Sequence, residues 1–219
     1  MKKSSETLLD VYHRLFEYYG PQHWWPGESP FEVMIGAILT QSTAWNNVEK
    51  AITNLKNAGL MSPSAIRDTP MQVLAKLIHP TGYYNAKALK LKALVIWLGA
   101  SYRDNLCQLF ALNTEKLRTQ LLAVHGIGPE TADSILLYAA NKPVFVIDTY
   151  TRRIINCLGL TPEYDSYDAC QTLFTSNLPQ NTQLFNEYHA LLVRLGKENC
   201  RKHPVCEKCC LLDICHRQA

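Results

Sequence analysis

The chain has 219 residues, 47% of them hydrophobic, with 22 lysines and arginines against 19 aspartates and glutamates. That is enough apolar chain for one full core or two compact ones, so a globular protein is expected rather than a disordered one. The net charge of +3 permits a nucleic-acid partner without demanding one. No apolar run reaches the roughly 18 residues of a membrane span. The start, MKKSSETLLDVYHRLF, is charged and then amphipathic. It lacks the unbroken apolar stretch of a signal peptide, so a cytoplasmic protein with no membrane partner is expected.

Helical periodicity runs through the whole chain. Thr7 to Tyr19 puts Leu8, Val11, Tyr12, Leu15 and Phe16 on one face and stops at Gly20-Pro21. A loop with two adjacent aromatics follows, His23-Trp24-Trp25-Pro26. Phe31 to Thr40 is an apolar helix running into Gln41-Ser42-Thr43-Ala44-Trp45, and Val48 to Ala58 is a helix closed by Gly59. Met71 to Ile78 is a short helix between Pro70 and Pro80. Thr81 to Asn85 is a turn, and Ala86 to Leu98 is a helix that Gly99 is expected to stop.

The stretch from Leu117 to Arg153 organises the rest. Leu117, Leu121, Leu122 and Val124 form an apolar stripe, Gly126-Ile127-Gly128 makes a tight turn, and Pro129 opens a second helix. Unpartnered N–H groups at such a helix start favour an anion, and a DNA phosphate would suit. The plain alternative is an αα-hairpin with a glycine turn. Val144 to Ile147 is a short strand-like run, too short for a sheet, and Asp148 then opens a helix to Leu158 with Gly159 as its stop. An aspartate there reads as an N-cap, and bonds from the next turn also favour the charged carboxylate. Helices near Tyr167 to Thr175 and Phe185 to Leu195 complete an all-α chain.

Five of the eight cysteines crowd into the last twenty residues, spaced Cys200-x5-Cys206-x2-Cys209-x5-Cys215 with Cys210 as an extra candidate. In a cytosolic chain such crowding reads as a metal site rather than a disulfide set. Four thiolates on one loop suit tetrahedral zinc or an iron–sulfur cubane, and spacing alone leaves the two as rivals. Cys107, Cys157 and Cys170 sit among apolar neighbours and are expected in the core. Basic residues gather late, at Arg152, Arg153, Lys197, Arg201 and Lys202.

The segment from Leu117 to Arg153 resembles the helix–hairpin–helix (HhH-GPD) DNA glycosylase superfamily, in its endonuclease III-like branch. Phe31 to Thr43, with its glutamine, and Gly82-Tyr83-Tyr84-Asn85-Ala86-Lys87-Ala88 are similar to two further segments of that family, so the resemblance covers nearly the whole chain. It implies two helical lobes with DNA bound across the cleft. Residues 22–142 would form a six-helix barrel with the hairpin, and residues 1–21 and 143–219 the lobe with the iron–sulfur loop. Asp148 would be the catalytic carboxylate at the mouth of the base pocket. Gln41 would wedge into the duplex, its plain alternative being a polar helix end. Gly126, Gly128 and Thr131 would meet the DNA. With the hairpin present, the cysteines Cys200, Cys206, Cys209 and Cys215 point to a [4Fe–4S] cluster of structural role, with zinc as the alternative and Cys210 a rival of Cys209. The first cysteine gap is one residue shorter than the family's usual one. The implied partner is double-stranded DNA carrying a damaged base, met by a monomer.

One departure bears on mechanism. Bifunctional members carry a lysine directly before the Thr-Ala pair of the hairpin, and its amine attacks the sugar to form a Schiff base. Here that position is Glu130, a residue type also favourable in any first helical turn. The expected enzyme is therefore a monofunctional glycosylase in which water replaces the lysine and Asp148 stabilises an oxocarbenium-like sugar. Trp24, Trp25 and Trp45, with Glu130, are expected at the base pocket, as in the family's 3-methyladenine branch. Indole faces attract a cationic alkylated purine, and each tryptophan has the plain alternative of packing in the core or lobe interface. Two rival readings stand beside it. One is an endonuclease III-like glycosylase and lyase for oxidised pyrimidines using another lysine, such as Lys142 or Lys87. The other is a non-catalytic DNA-binding protein.

Overall fold

The computed structural model describes residues 2–161 and 166–216, with side chains from residue 5 onward. In chain order the helices are α1 (Lys2–Tyr19), α2 (Pro30–Leu39), α3 (Trp45–Asn57), α4 (Pro63–Asp68), α5 (Met71–Leu77), α6 (Tyr84–Tyr102), α7 (Leu106–Phe110), α8 (Thr114–Leu122), α9 (Pro129–Ser134), α10 (Thr149–Cys157), α11 (Tyr167–Thr175) and α12 (Thr182–Glu198). A π-helical turn, Ile135–Ala139, continues α9. No β-strand occurs among the described residues, so the fold is all-α. The chain divides into two compact units, residues 25–142 and residues 1–24 with 143–219.

In the unit of residues 25–142, α2 is buried from Phe31 to Leu39, which is why its sequence is an apolar run rather than a stripe. Ser29 caps it by accepting the Glu32 N–H at 3.2 Å, and Pro30 occupies the first turn. Helix α3 is amphipathic, with Val48, Ala51, Ile52 and Leu55 buried. The short helices α4 and α7 escape the periodicity because each offers a single buried apolar position, Ile66 and Leu109.

Gly99 does not stop α6; the helix runs on to Tyr102 and ends where Arg103 and Asp104 turn left-handed. The glycine is there for packing. A Cβ at this position would lie 2.4 Å from Nη1 of Arg67. That guanidinium donates to the Val95 carbonyl at 2.8 Å and forks onto the Asp104 carboxylate at 2.9 and 2.6 Å, fastening α4 to α6.

Lys87 is the largest polar exception in this core, 2% exposed. Its ammonium donates to the Leu39 carbonyl at 2.9 Å and the Thr81 carbonyl at 2.8 Å. It thus supplies a cation to the C-terminal end of α2, where helix carbonyls lack partners. Burial, and then the nearby charge of Lys90, lower its pKa to about 8.

In the other unit, α1 and α12 pack together and Tyr188 donates its hydroxyl to the Leu8 carbonyl at 2.8 Å. Phe145 stacks on Phe174 at 3.8 Å and meets Phe185 and Tyr188 edge-on. Residues 144–147 are buried and belong to no helix or strand. Side chains of α11 take up the backbone: the Ile147 N–H donates to the Tyr167 hydroxyl at 3.3 Å, and Gln171 donates to the Phe145 carbonyl at 2.8 Å. Cys170 is buried, Cys157 half-buried, and Cys107, expected in the core, is exposed on α7. Leu122 likewise leaves the expected stripe, 36% exposed at the end of α8.

Replacing Lys87 by methionine would leave the Leu39 and Thr81 carbonyls without this donor. The expected loss of stability is about 1–3 kcal/mol, read as a lower urea midpoint with an unchanged slope.

Candidate active site

The hairpin is built from α8, a glycine turn and α9. Asn113 caps α8 by accepting the Lys116 N–H at 2.8 Å. The turn needs glycine at residue 126, whose φ is +82°. Ile127, 5% exposed, anchors the turn to the core. Gly128 is exposed, and a Cβ there would meet nothing within 4 Å, so this backbone is open to close approach. Asp133 is fully buried and receives the Arg118 guanidinium in a fork at 2.7 and 3.1 Å, tying α9 back to α8.

Gln41 reaches this hairpin from the end of α2. Its amide donates to the Gly126 carbonyl at 3.0 Å and to the Thr131 hydroxyl at 2.9 Å. Lys90 donates in turn to the Gln41 side-chain carbonyl at 2.5 Å, and its alkyl chain fills the space where a Cβ on Gly126 would sit. Gln41, Gly126 and Thr131 therefore form one polar cluster, Thr131 on its buried side. Gly128 and Glu130 are exposed on the hairpin.

Trp25 and Trp45 meet edge-on at 5.2 Å, and Trp25 lies 5.2 Å from Tyr138, all three half-buried. Gly36 leaves room for the Trp25 ring, since a Cβ would come within 3.0 Å of it. Trp45 also donates to Glu49 at 2.9 Å. Trp24 belongs to the unit of residues 1–24 and 143–219. Tyr138, which pattern reading did not single out, sits in the π-helical turn after α9. Such turns carry an extra residue and often mark functional positions.

Asp148 is the N-cap of α10, its Oδ1 accepting the Thr151 N–H at 2.7 Å. Its Oδ2 lies 3.8 Å from Nε2 of His189 on α12, and the two side chains are 12% and 8% exposed. Thr151 is fully buried and its hydroxyl has no hydrogen-bond partner among the described residues. Burial lowers the pKa of His189; Asp148 opposes that shift and Lys197 adds to it. The net effect favours the neutral ring. His189 went unremarked in the sequence because a histidine on a helix face gives no signal by itself.

The C-terminal cysteines Cys200, Cys206, Cys209, Cys210 and Cys215 are all half-buried and free of disulfides. Cys209 lies close enough to Cys206 and Cys215 for their charges to act on it, while Cys200 faces Cys157 on α10. Burial, then Cys157, pushes the Cys200 thiol up to about 11; burial, then Cys209, does the same for Cys210. Arg153 holds this loop to α10 by donating to the Cys200 carbonyl at 2.7 Å. The donor set fits a thiolate-held group in type and number. No three His, Cys, Asp or Glu side chains among the described residues converge closely enough to hold a metal ion.

Residues 35–180 match the family of HhH-GPD superfamily base excision DNA repair proteins. The chain belongs to that family. A protein of Methanocaldococcus jannaschii provisionally named a DNA repair glycosylase is 42% identical over 212 residues, 96% of each chain. Endonuclease III of Sulfolobus acidocaldarius is 30% identical, covering 84% of this chain and 81% of that one. A 3-methyladenine DNA glycosylase of H. pylori, solved with 1,N6-ethenoadenine, is 29% identical with a TM-score of 0.76, over 89% of this chain and 97% of that one. An endonuclease III solved in a non-covalent complex with DNA has a TM-score of 0.84 at 20% identity, over 97% of this chain and 95% of that one, a likeness of fold. This HhH-GPD member is a DNA glycosylase of the base excision repair class. No helix among its described residues is long and apolar enough to cross a membrane.

Two outcomes follow from the site's geometry. Gly126→Ala keeps the chain folded but places an L-residue at a φ of +82°, lowering stability by about 1–3 kcal/mol in thermal or urea denaturation. His189 favours the folded state most above pH 6.5, its unfolded value; that contribution is lost as pH falls below 6.5 toward the depressed folded value. His189→Gln should flatten this acid-side loss in urea midpoints measured across that range.

Proposed function

We propose that this glycosylase is monofunctional and releases an alkylated purine, such as 3-methyladenine, from double-stranded DNA. The observation that carries the reading is Glu130, exposed on the hairpin where bifunctional members carry their nucleophilic lysine. A carboxylate cannot form an imine with the sugar. Lys87 offers no substitute, since its amine is buried and bound to two carbonyls. Lys90 is engaged by Gln41.

In the proposed reaction the damaged nucleotide is extruded from the duplex, at a cost least for a base that stacks or pairs poorly. The N-glycosidic bond breaks with its electron pair leaving on the base. A cationic alkylpurine leaves neutral, so little acid catalysis is required. Positive charge develops at the sugar carbon, and Asp148 stabilises it. Water adds to that carbon, and its proton passes to the carboxylate and on to solvent. Asp148 suits this work because one oxygen is committed to capping α10 and the other is left to act. Trp25, Trp45 and Tyr138 would supply the faces on which a cationic base rests. The H. pylori relative, a 3-methyladenine glycosylase solved with a modified adenine, supports this substrate class. Gly126, Gly128, Thr131 and Gln41 would meet the DNA backbone and the vacated stack.

Cys200, Cys206, Cys209 and Cys215 would hold a [4Fe–4S] cluster, with Cys210 competing for the third place and zinc as the alternative. When bound, such a group would pin a loop bearing Lys197, Arg201, Lys202 and Lys208. Iron and sulfide analysis with a visible absorption spectrum distinguishes the two; a colourless protein carrying zinc removes the cluster.

A second reading, an endonuclease III-like enzyme for oxidised pyrimidines, is favoured by the relative from S. acidocaldarius and by the retained cysteines. Purified protein incubated with methylated duplex DNA should release free 3-methyladenine and leave the strand intact. Borohydride should trap no covalent adduct; an adduct would establish a lyase and overturn the monofunctional reading. Asp148→Asn keeps a good cap, so it should fold normally and lose base release by about 100-fold or more, as removal of a transition-state charge does.

A further inference from the structure

Asp148 is reached by two helices. α10 supplies the Thr151 N–H on Oδ1, and α12 brings Nε2 of His189 to 3.8 Å from Oδ2. The histidine side chain is only 8% exposed. Its neighbours Tyr188, Leu191 and Leu192 are buried, and the Tyr188 hydroxyl is bonded to the Leu8 carbonyl. Phe145 closes the ring's side edge-on, centroids 6.4 Å apart. The groups whose charges act on His189 are Asp148, on the helix packed against it, and Lys197, on its own helix.

We propose that His189 is a positioning residue for base release, aligning the Asp148 carboxylate from the side opposite its helix-capping contact. The inference rests on Asp148 being the catalytic carboxylate. The capping bond fixes one oxygen but leaves rotation that would carry the other away from the sugar. An imidazole facing Oδ2 in a nearly dry setting biases that rotation electrostatically, because charge–dipole attraction is little screened there. The choice of group matters. A lysine or arginine here would form an ion pair and draw negative charge away from the sugar at the moment it is required. A buried imidazole kept neutral orients the carboxylate and leaves its charge available.

The test compares His189→Gln and His189→Phe with the unaltered protein. Single-turnover base release is measured on whichever damaged duplex that protein cleaves, methylated or oxidised, and affinity on a duplex with an uncleavable abasic-site analogue. His189→Phe is expected to slow release by about 10- to 100-fold, the scale of a small misplacement of a reacting group. Its affinity should stay within about twofold, so that kcat and not KM carries the loss. His189→Gln, which still offers an N–H, should recover release to within about threefold of the original. If the phenylalanine ring distorts the far-ultraviolet circular dichroism spectrum, His189→Leu takes its place in the same comparison. The inference is overturned if the folded apolar variant releases base at the original rate. It is equally overturned if rate and affinity fall together, or if glutamine is no better than the apolar side chain. Asp148→Asn separates the two levels. A normal rate there removes Asp148 from catalysis whatever His189 does, whereas an inactive Asp148→Asn beside a fully active His189→Phe overturns only the positioning role. Absence of release from either duplex by the unaltered protein overturns both.

Discussion

Asp133 has no exposed surface, and the guanidinium of Arg118 receives it in a two-pronged contact across the hairpin. An unpaired carboxylate in that position would be costly, so α8 and α9 are committed to one angle. The glycine turn between them inherits its orientation from that commitment. Gln41 then closes the cluster from the other side, spending one amide on both the Gly126 carbonyl and the Thr131 hydroxyl. The turn is rigid on its inner face and bare at Gly128, an arrangement that presents backbone N–H groups without a side chain in the way.

The other unit places its carboxylate by a different device. The buried segment at residues 144–147 belongs to no helix or strand, and side chains of α11 take up its backbone groups. It emerges at Asp148, where the change from extended to helical backbone requires a cap. The helix start that needs the aspartate also holds one of its carboxylate oxygens in place. The neighbouring Thr151 hydroxyl, buried without a partner among the described residues, lies on the residue whose N–H makes that cap. Unsatisfied buried groups cost on the order of 1–3 kcal/mol. Such costs recur where function, rather than stability, sets the geometry.

Helical periodicity, capping residues and the glycine turn were all legible because each is written in residues close together in the chain. The Asp148 cap and the apolar run of α2 fall into that class. So does the hairpin motif, which carries the resemblance to the HhH-GPD family. Gly99 was misread for the converse reason. A glycine near a helix end resembles a stop, and only the arrival of Arg67 from another helix makes it a packing position. Cys107 looked like core because its neighbours are apolar, yet α7 is too short to bury more than Leu109.

The longer helices and their order, the turn that joins α8 to α9, and a carboxylate rather than an amine at residue 130 were determined by the sequence alone. Each depends on local backbone preference or on the chemistry of one side chain. Only the tertiary structure decided that Tyr138 joins Trp25 and Trp45, that Lys87 spends its amine on two carbonyls, and that His189 faces Asp148. Those juxtapositions join residues as many as 113 positions apart, Trp25 with Tyr138. Contacts at that separation are set by how helices pack, and helical periodicity records which face is buried but not what lies against it.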